Sequence, residues 1–472
     1  MRHSYLLPLV ISCGGAPSPG GSPDAGFPPD GTEATDAPME DAPLVDPSPA
    51  DESPLQIGID WPGTFLPRAM TRLPGGGYVI VGQDNTAGSG TSTDGFAVGV
   101  SSSGEVLWVH RYGGLYADAL LDVTALPGGD VIAVGATNSF DASGFGTEVG
   151  YLLRLGANGQ VIWSRHGDRT NASQTRLMKL TAVATTPDGA VIAGGNFGTP
   201  QDNGQSVVRV HANGSVDWLA RIGFDSVESV DDVAVLPDGT ILVAGNLAAL
   251  IGNTFAPFAT LTAVEADGLT ARWGRLARRS TVGISYSQIT PAVTGGALWM
   301  FSEMIPSAPP VEIDHIAGDG TLTRGGLSGR VAGLVDTVVG PVILGTDYNG
   351  TYAAHWAGLS TSMTAERFEH RLASTDTNDE LVARDIVAEP GGGSTALLQH
   401  GAQRLLLVRA APNGDVGMCT AASNTGVVTI ADPIPVSPSA PSVGHVASLS
   451  LATVTESARS VTVGAADASC PQ

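Results

Sequence analysis

Apolar residues along most of this chain come in short unbroken runs bounded by glycine, proline and aspartate. Tyr78-Val79-Ile80-Val81-Gly82, Val131-Ile132-Ala133-Val134-Gly135, Ile241-Leu242-Val243-Ala244-Gly245 and Val342-Ile343-Leu344-Gly345 are typical. Runs of this length between turn residues predict strands buried on both faces rather than amphipathic helices. Each run follows a turn: Pro74-Gly75-Gly76-Gly77, Pro127-Gly128-Gly129-Asp130, Pro187-Asp188-Gly189, Pro237-Asp238-Gly239, Gly295-Gly296, Gly340-Pro341 and Pro390-Gly391-Gly392-Gly393. Seven such turns predict seven units.

A second set of turns lies further along each unit, at Ser103-Gly104, Asn158-Gly159, Asn213-Gly214, Asp267-Gly268, Asp319-Gly320 and Asn413-Gly414. Asn-Gly and Asp-Gly supply the positive φ that tight hairpins demand. A tryptophan follows the first four of these turns, and Trp108, Trp163, Trp218 and Trp273 are spaced at 55-residue intervals. Alternation along the strand places Val106, Trp108 and His110 on one face and Leu107, Val109 and Arg111 on the other. We read the four tryptophans as structural repeat residues that pack neighbouring units together, in preference to ligand stacking. The later units are degenerate, with Arg324, Phe368 and Met418 at the corresponding positions.

A 55-residue repeat of four short strands is the pattern of a closed array, and the predicted fold is all-β, a seven-bladed β-propeller of four-stranded antiparallel blades. Eight blades is the alternative count. The connections between second and third strands, 83–95, 136–150, 196–205 and 246–257, are long and dissimilar, as are those between repeats. In an up-and-down blade both kinds emerge on one side, so that loop-bearing face is the expected binding surface. The stretch 55–61 reads as a strand without a unit, and 425–431, 446–455 and 460–464 read as strands beyond the repeats. One terminal strand is expected to complete a blade made by the other end.

Composition changes the picture mainly at the N-terminus. Residues 14–54 hold ten Pro, six Gly and nine acids without a single Lys or Arg. Such a segment cannot form a core and reads as a disordered spacer, reaching at most roughly 130 Å at ~3.1 Å per residue. The net charge of −23 and the lack of any basic run exclude nucleic acid as a partner. Basic residues are 22 Arg and one lysine, Lys179, a bias attributable to a GC-rich genome. Cys419 and Cys470 form an even pair that reads as a disulfide in an exported chain.

The opening stretch carries Arg2, an apolar run from Leu6 to Ile11 and then Val10-Ile11-Ser12-Cys13. It resembles the leader and lipobox of bacterial lipoproteins, which implies lipidation of Cys13. The expected organisation is a signal peptide over 1–12, a tether over 13–54, a propeller over 55–421 and C-terminal strands over 422–472 that close or cap it. The turn-and-strand pattern resembles repeats of bacterial surface propellers of the delta-sixty type and propeller lipoproteins of environmental bacteria. The Gly-x-x-x-Trp spacing is similar to the docking motif of quinoprotein propellers and of the propeller lipoprotein of outer-membrane protein assembly. Their upstream Ala-x-Asp is replaced here by Val98-Gly99-Val100 or Leu153-Arg154-Leu155. Sialidase Asp-boxes place tryptophan three residues after glycine, whereas the spacing here is four or five.

No catalytic residue is assigned, and neither a nucleophile elbow nor a P-loop occurs. His110, His166, His211 and His315 lack a second ligand at a metal spacing, and the loop acids Asp84, Asp94, Asp141 and Glu148 match no ordered calcium loop. Neither metal nor cofactor is expected. These readings together predict an outer-membrane or cell-surface module, anchored in the membrane only through its lipid, that recognises an envelope protein or glycan through its loop face. A secreted enzyme acting at the central channel is the alternative, and a structural surface component is the third. Carboxylates, Arg or His converging at the channel would mark the enzyme; an apolar or featureless channel would mark the scaffold.

Overall fold

The computed structural model describes residues 53–416, apart from 86–92, 141–147, 168–175, 200–201, 224–226, 252–253, 269, 278–283, 304–309, 329–330, 349–351, 364 and 374–379. It also describes four short strands, Ser442–His445, Leu451–Val454, Arg459–Ser460 and Gly464–Ala466. The expected lipidation site Cys13 and the expected disulfide partners Cys419 and Cys470 lie outside these residues, as do Asp141 and the tether up to residue 52.

Seven antiparallel sheets make a seven-bladed propeller, and among the described residues there is no helix. Blade one spans residues 65–112, blade two 118–167, blade three 176–223, blade four 227–277, blade five 284–328 and blade six 331–373. Blade seven contributes three strands of its own, Leu381–Ala388, Ser394–His400 and Arg404–Ala410, and takes its fourth from the other end of the domain. Leu55–Asp60 pairs antiparallel with Arg404–Ala410, with Leu55 opposite Arg409. The strand without a unit therefore closes the ring. The eighth blade does not form, because the strands after residue 416 join existing sheets: Ser442–His445 pairs with blade three, Leu451–Val454 with blade two, Arg459–Ser460 with blade one and Gly464–Ala466 with blade seven. Each pairs with the outermost strand of its blade, whose free edge would otherwise invite pairing with other chains.

Uninterrupted apolar strands are needed because each blade is covered on both sides. One apolar cluster fills each gap between neighbours, such as Leu126, Ile132 and Leu152 of blade two against Leu180, Val191 and Val208 of blade three. The expected long loops of blades three and four are different from the sequence reading. Strand pairing continues outward there to Thr199 opposite Asp202 and to Ile251 opposite Thr254, so these connections are extended hairpins.

The four repeat tryptophans lie where the blades dock at the rim. Trp108 donates from Nε1 to the Ala157 carbonyl of the next blade's turn (2.8 Å), and Trp163 does the same to Ala212 (2.8 Å). Trp273 reaches Gly318 at 3.4 Å. The turn glycine sits on the ring: a Cβ at Gly159 would fall 2.5 Å from Trp108, and one at Gly268 2.7 Å from Trp218. Two residues beyond the aromatic, a second group holds the same turn: Arg275 donates to Gly320 O (2.9 Å), and a His370 ring nitrogen lies 2.6 Å from Gly414 O. Phe368 takes the tryptophan's place in blade six, against Gly414. In blade seven the position belongs to Ile57, not Met418, because the fourth strand comes from the N-terminal side; a Cβ at Gly104 would meet Ile57 at 2.4 Å. Between blades five and six the residue types at these two positions change. Arg324 occupies the aromatic position and the turn carries Met363 at φ 56°, its side chain buried among Leu298, Ile313 and Leu334.

The closing seam carries a buried polar network. Glu389 of blade seven accepts from Arg72 (2.7 Å) and from the Tyr78 hydroxyl (2.5 Å) of blade one, and Arg409 donates to Tyr78 Oη at 2.9 Å. Burial, then the adjacent Glu389 charge, pushes the Tyr78 phenol up to about 12. It stays a neutral hydrogen-bond donor.

Candidate functional site in the central channel

The innermost strand of each blade has no neighbour on its channel side, which leaves backbone amides facing the axis that need acceptors. Aspartates on three blades supply them. Asp122 Oδ1 accepts from Val123 N (2.8 Å) and Oδ2 from Val183 N of blade three (2.7 Å). Asp232 repeats this with Val233 N (2.8 Å) and Ile289 N of blade five (2.9 Å), and Asp385 with Ile386 N (2.8 Å) and Met70 N of blade one (2.7 Å). Each carboxylate thus ties its own strand to the next blade.

The same strands carry a bulge immediately before these positions. Register shifts leave Arg68, Leu121, Thr181, Asp231, Ala332 and Arg384 as the extra residues of blades one, two, three, four, six and seven. In blade five the shift falls earlier, between Ile284 and Tyr286. A bulge re-aims its side chain, and here the six bulge residues line a cavity of about 390 Å³ in the channel. Asp122, Asp232, Asp385, Gln288 and Lys179 line it too. Pockets of this size hold small molecules.

Charge around the cavity is uneven. Arg68 and Arg384 occupy adjacent blades, one and seven; Asp231 and Asp232 occupy blade four. Burial, then the charge of Arg68, lowers the Arg384 guanidinium to about 10, and burial lowers Arg68 as well. Arg384 is anchored through Nε (3.0 Å) and Nη2 (2.6 Å) to Gln399 Oε1, while Gln399 donates to Phe65 O (3.0 Å). Arg68 makes no hydrogen bond or ion pair with any described residue. Burial dominates the acids: it pushes Asp122 up to about 6 and Asp231 and Asp385 up to about 7, against the lowering effect of their amide partners. Asp232 rises well above the usual carboxylate range, first through burial and then through repulsion by Asp122. Asp231 accepts from Ser287 N (3.0 Å) and from the Asn246 amide (2.5 Å). Gln288 Oε1 is buried and has no hydrogen-bond partner among the described residues.

None of these channel residues was singled out as functional from the sequence. The three interblade aspartates stand five residues ahead of the turn prolines Pro127, Pro237 and Pro390. That spacing was available to find them. Lys179, attributed to genome composition, lines the cavity as the chain's single lysine. The residues weighed as ligands are dispersed instead. Asp84 is buried and paired with Arg111, Asp94 is buried, and Glu148 is exposed. His110 stacks on Trp108 with its ring nitrogen 3.3 Å from Asn158 O, His166 lies against Gly167 O at 3.0 Å, and His315 against Gly295 O at 3.0 Å. His211 is exposed beside Asp217 at 3.9 Å. Among the described residues no group of three or more His, Cys, Asp or Glu is placed to hold a metal ion.

No protein-family model matches the chain, and no curated protein matches it by sequence. Solved structures resemble it in shape. Sqt1 from Chaetomium thermophilum is 13% identical over 80% of this chain and 89% of its own, with a TM-score of 0.43. Quinohemoprotein alcohol dehydrogenase from Comamonas testosteroni is 9% identical over 78% of each chain, TM-score 0.38. An α-L-arabinofuranosidase from Fusarium graminearum is 9% identical over 74% of this chain and 95% of its own, TM-score 0.39. These neighbours are mostly enzymes, at identities that bear on fold alone.

Proposed function

We propose that this protein is a binding module that recognises an envelope component through the loop-bearing end of its propeller, with the central cavity as the recognition site. The observation that carries this reading is the division of labour in the cavity wall. Carboxylates and arginines do converge there, which is the feature set out above for the catalytic alternative. Yet Asp122, Asp232 and Asp385 spend both oxygens on backbone amides of two blades, a role in holding the ring together. Arg68 and Lys179, by contrast, face the cavity without a hydrogen bond to any described residue, which is the disposition of groups that meet a ligand. Lys179 precedes the bulge of its strand, and so lies toward the end from which the variable loops emerge.

The sequence supports a location for this activity: the lipobox resemblance at Cys13 and the acidic spacer together fit a lipid-tethered domain held off a membrane surface. Loss of membrane fractionation in Cys13→Ser would support that placement, and unchanged fractionation would overturn it. Recognition is tested by in-cell cross-linking with the tagged full-length protein beside an Arg68→Ala, Lys179→Ala variant. An envelope component recovered with the wild type and lost with the variant supports the reading. Recovery unaffected by the variant overturns the assignment to the cavity.

A further inference from the structure

Six of the seven innermost strands place their bulge residue in one register, so these six side chains form a single ring around the axis. Three members of that ring are charged. Arg68 and Arg384 are neighbours, on blades one and seven; Asp231 is on blade four, three blades away from each in either direction. In a closed ring of seven, that is the position diametrically opposite the pair. Leu121, Thr181 and Ala332 are the uncharged members of that ring. Asp232 stands next to Asp231 on the acidic side, and Gln288 of blade five adds an acceptor there that lacks a partner among the described residues. The ring of bulge residues is thus basic on one side and acidic on the other, across a space of about 390 Å³ that Lys179 and the amide-bound Asp122 and Asp385 also line.

We infer that the cavity binds a small zwitterion of the α-amino-acid class, its carboxylate against Arg68 and Arg384 and its ammonium against Asp231 and Gln288. This rests on the cavity being a recognition site and names the class of molecule it takes. An anion alone would satisfy the arginines and leave the acidic wall without a counter-charge; a cation alone would do the reverse. A zwitterion satisfies both walls at once. Arg68 and Arg384 present planar donors suited to a carboxylate. Ser287 N and the Asn246 amide both donate to Oδ2 of Asp231 and use only part of its acceptor capacity, because an ionised carboxylate has about four lone-pair sites. Since burial raises Asp231 to about 7, an arriving ammonium favours its ionised form and releases a proton near neutral pH.

The single lysine provides the reporter. Reductive ¹³C-methylation of the full-length protein labels Lys179, keeps its charge and gives a side-chain signal from the cavity itself. L-alanine, acetate and ethylamine would each be titrated against it. We expect L-alanine to move the signal and to bind at least about tenfold more tightly than either half-molecule, as one additional charged hydrogen bond supplies. Arg68→Ala should weaken alanine binding by about tenfold or more, with an unchanged unfolding temperature to show that the fold is intact. Acetate binding as tightly as alanine would overturn the zwitterion assignment while leaving the cavity a recognition site. A signal unmoved by all three overturns the inference outright, and the recognition reading is then decided separately by the cross-linking result.

Discussion

The rim and the channel hold the same seven blades together by opposite means. At the rim, an aromatic ring on one blade lies on the turn glycine of the next, and the device recurs from Trp108 through Trp273 with Phe368 and Ile57 as substitutes. At the channel, three blades are tied to the next by an aspartate that bridges two backbone amides and Thr181 ties its blade through a hydroxyl to Val230 O, while the bulge positions diverge into arginine, leucine, threonine, aspartate and alanine. Repetition marks the places where every blade faces the same task of packing. Departure from the repeat concentrates on the axis, where the seven strands surround one shared space and a charge on any blade is felt by the others. Asp232 illustrates this, since Asp122 and Asp385, on other blades, both raise its pKa.

The contrast can be broken from either side. Trp218→Ala removes a buried ring from the rim and should cost about 3–5 kcal/mol by denaturant unfolding. A cost near zero would show that the rim contact is dispensable. Asp122→Asn probes the channel through pH. The folded pKa of about 6 lies above the ordinary carboxylate value of 3.8, so this carboxyl contributes stability that is fully present below about pH 3.8 and lost as pH rises through 6. The variant should therefore gain on the wild type by roughly 2 kcal/mol between pH 4 and 8, beyond a constant offset for its lost acceptor. A pH-independent difference would remove burial as the dominant influence on that group. Gly214→Ala places a Cβ 3.0 Å from Trp163 at φ +83° and should cost roughly 1–2 kcal/mol in a thermal melt. Arg68→Ala, exposed in the channel, should change stability by less than about 0.5 kcal/mol. A larger loss would make it a structural residue and merge the two regions.

The rim was readable from the sequence because its signal is periodic: Gly-x-x-x-Trp returns every 55 residues, and a positive-φ turn needs glycine wherever it occurs. The blade count of seven follows from the same turns. The reading lost accuracy where the repeat decays. Repeat spacing points to Met418 as the seventh rim residue, although the chain reaches that position through Ile57 from the other end of the domain. The channel is less legible in the sequence, because facing residues there come from blades far apart along the chain. Arg68 and Arg384 are 316 residues apart in the chain yet line one wall, a juxtaposition that only ring closure produces. The spacing of Asp122, Asp232 and Asp385 before the turn prolines was visible in principle. It recurs in only three units, too few to separate from ordinary strand variation.

The borrowed strand of blade seven sets an order of events for making the protein. Leu55–Asp60 is synthesised before any complete blade, yet its partner, beginning opposite Arg409, is made 354 residues later. Until then Ile57 and Ile59 belong to an apolar segment with no sheet to join. Contacts of such long separation slow folding and extend the time during which sticky surface is open to other chains. The earliest part of the domain to be translated is the last to be placed, so a chain truncated anywhere before Arg404–Ala410 would leave its first strand without a partner and its ring open.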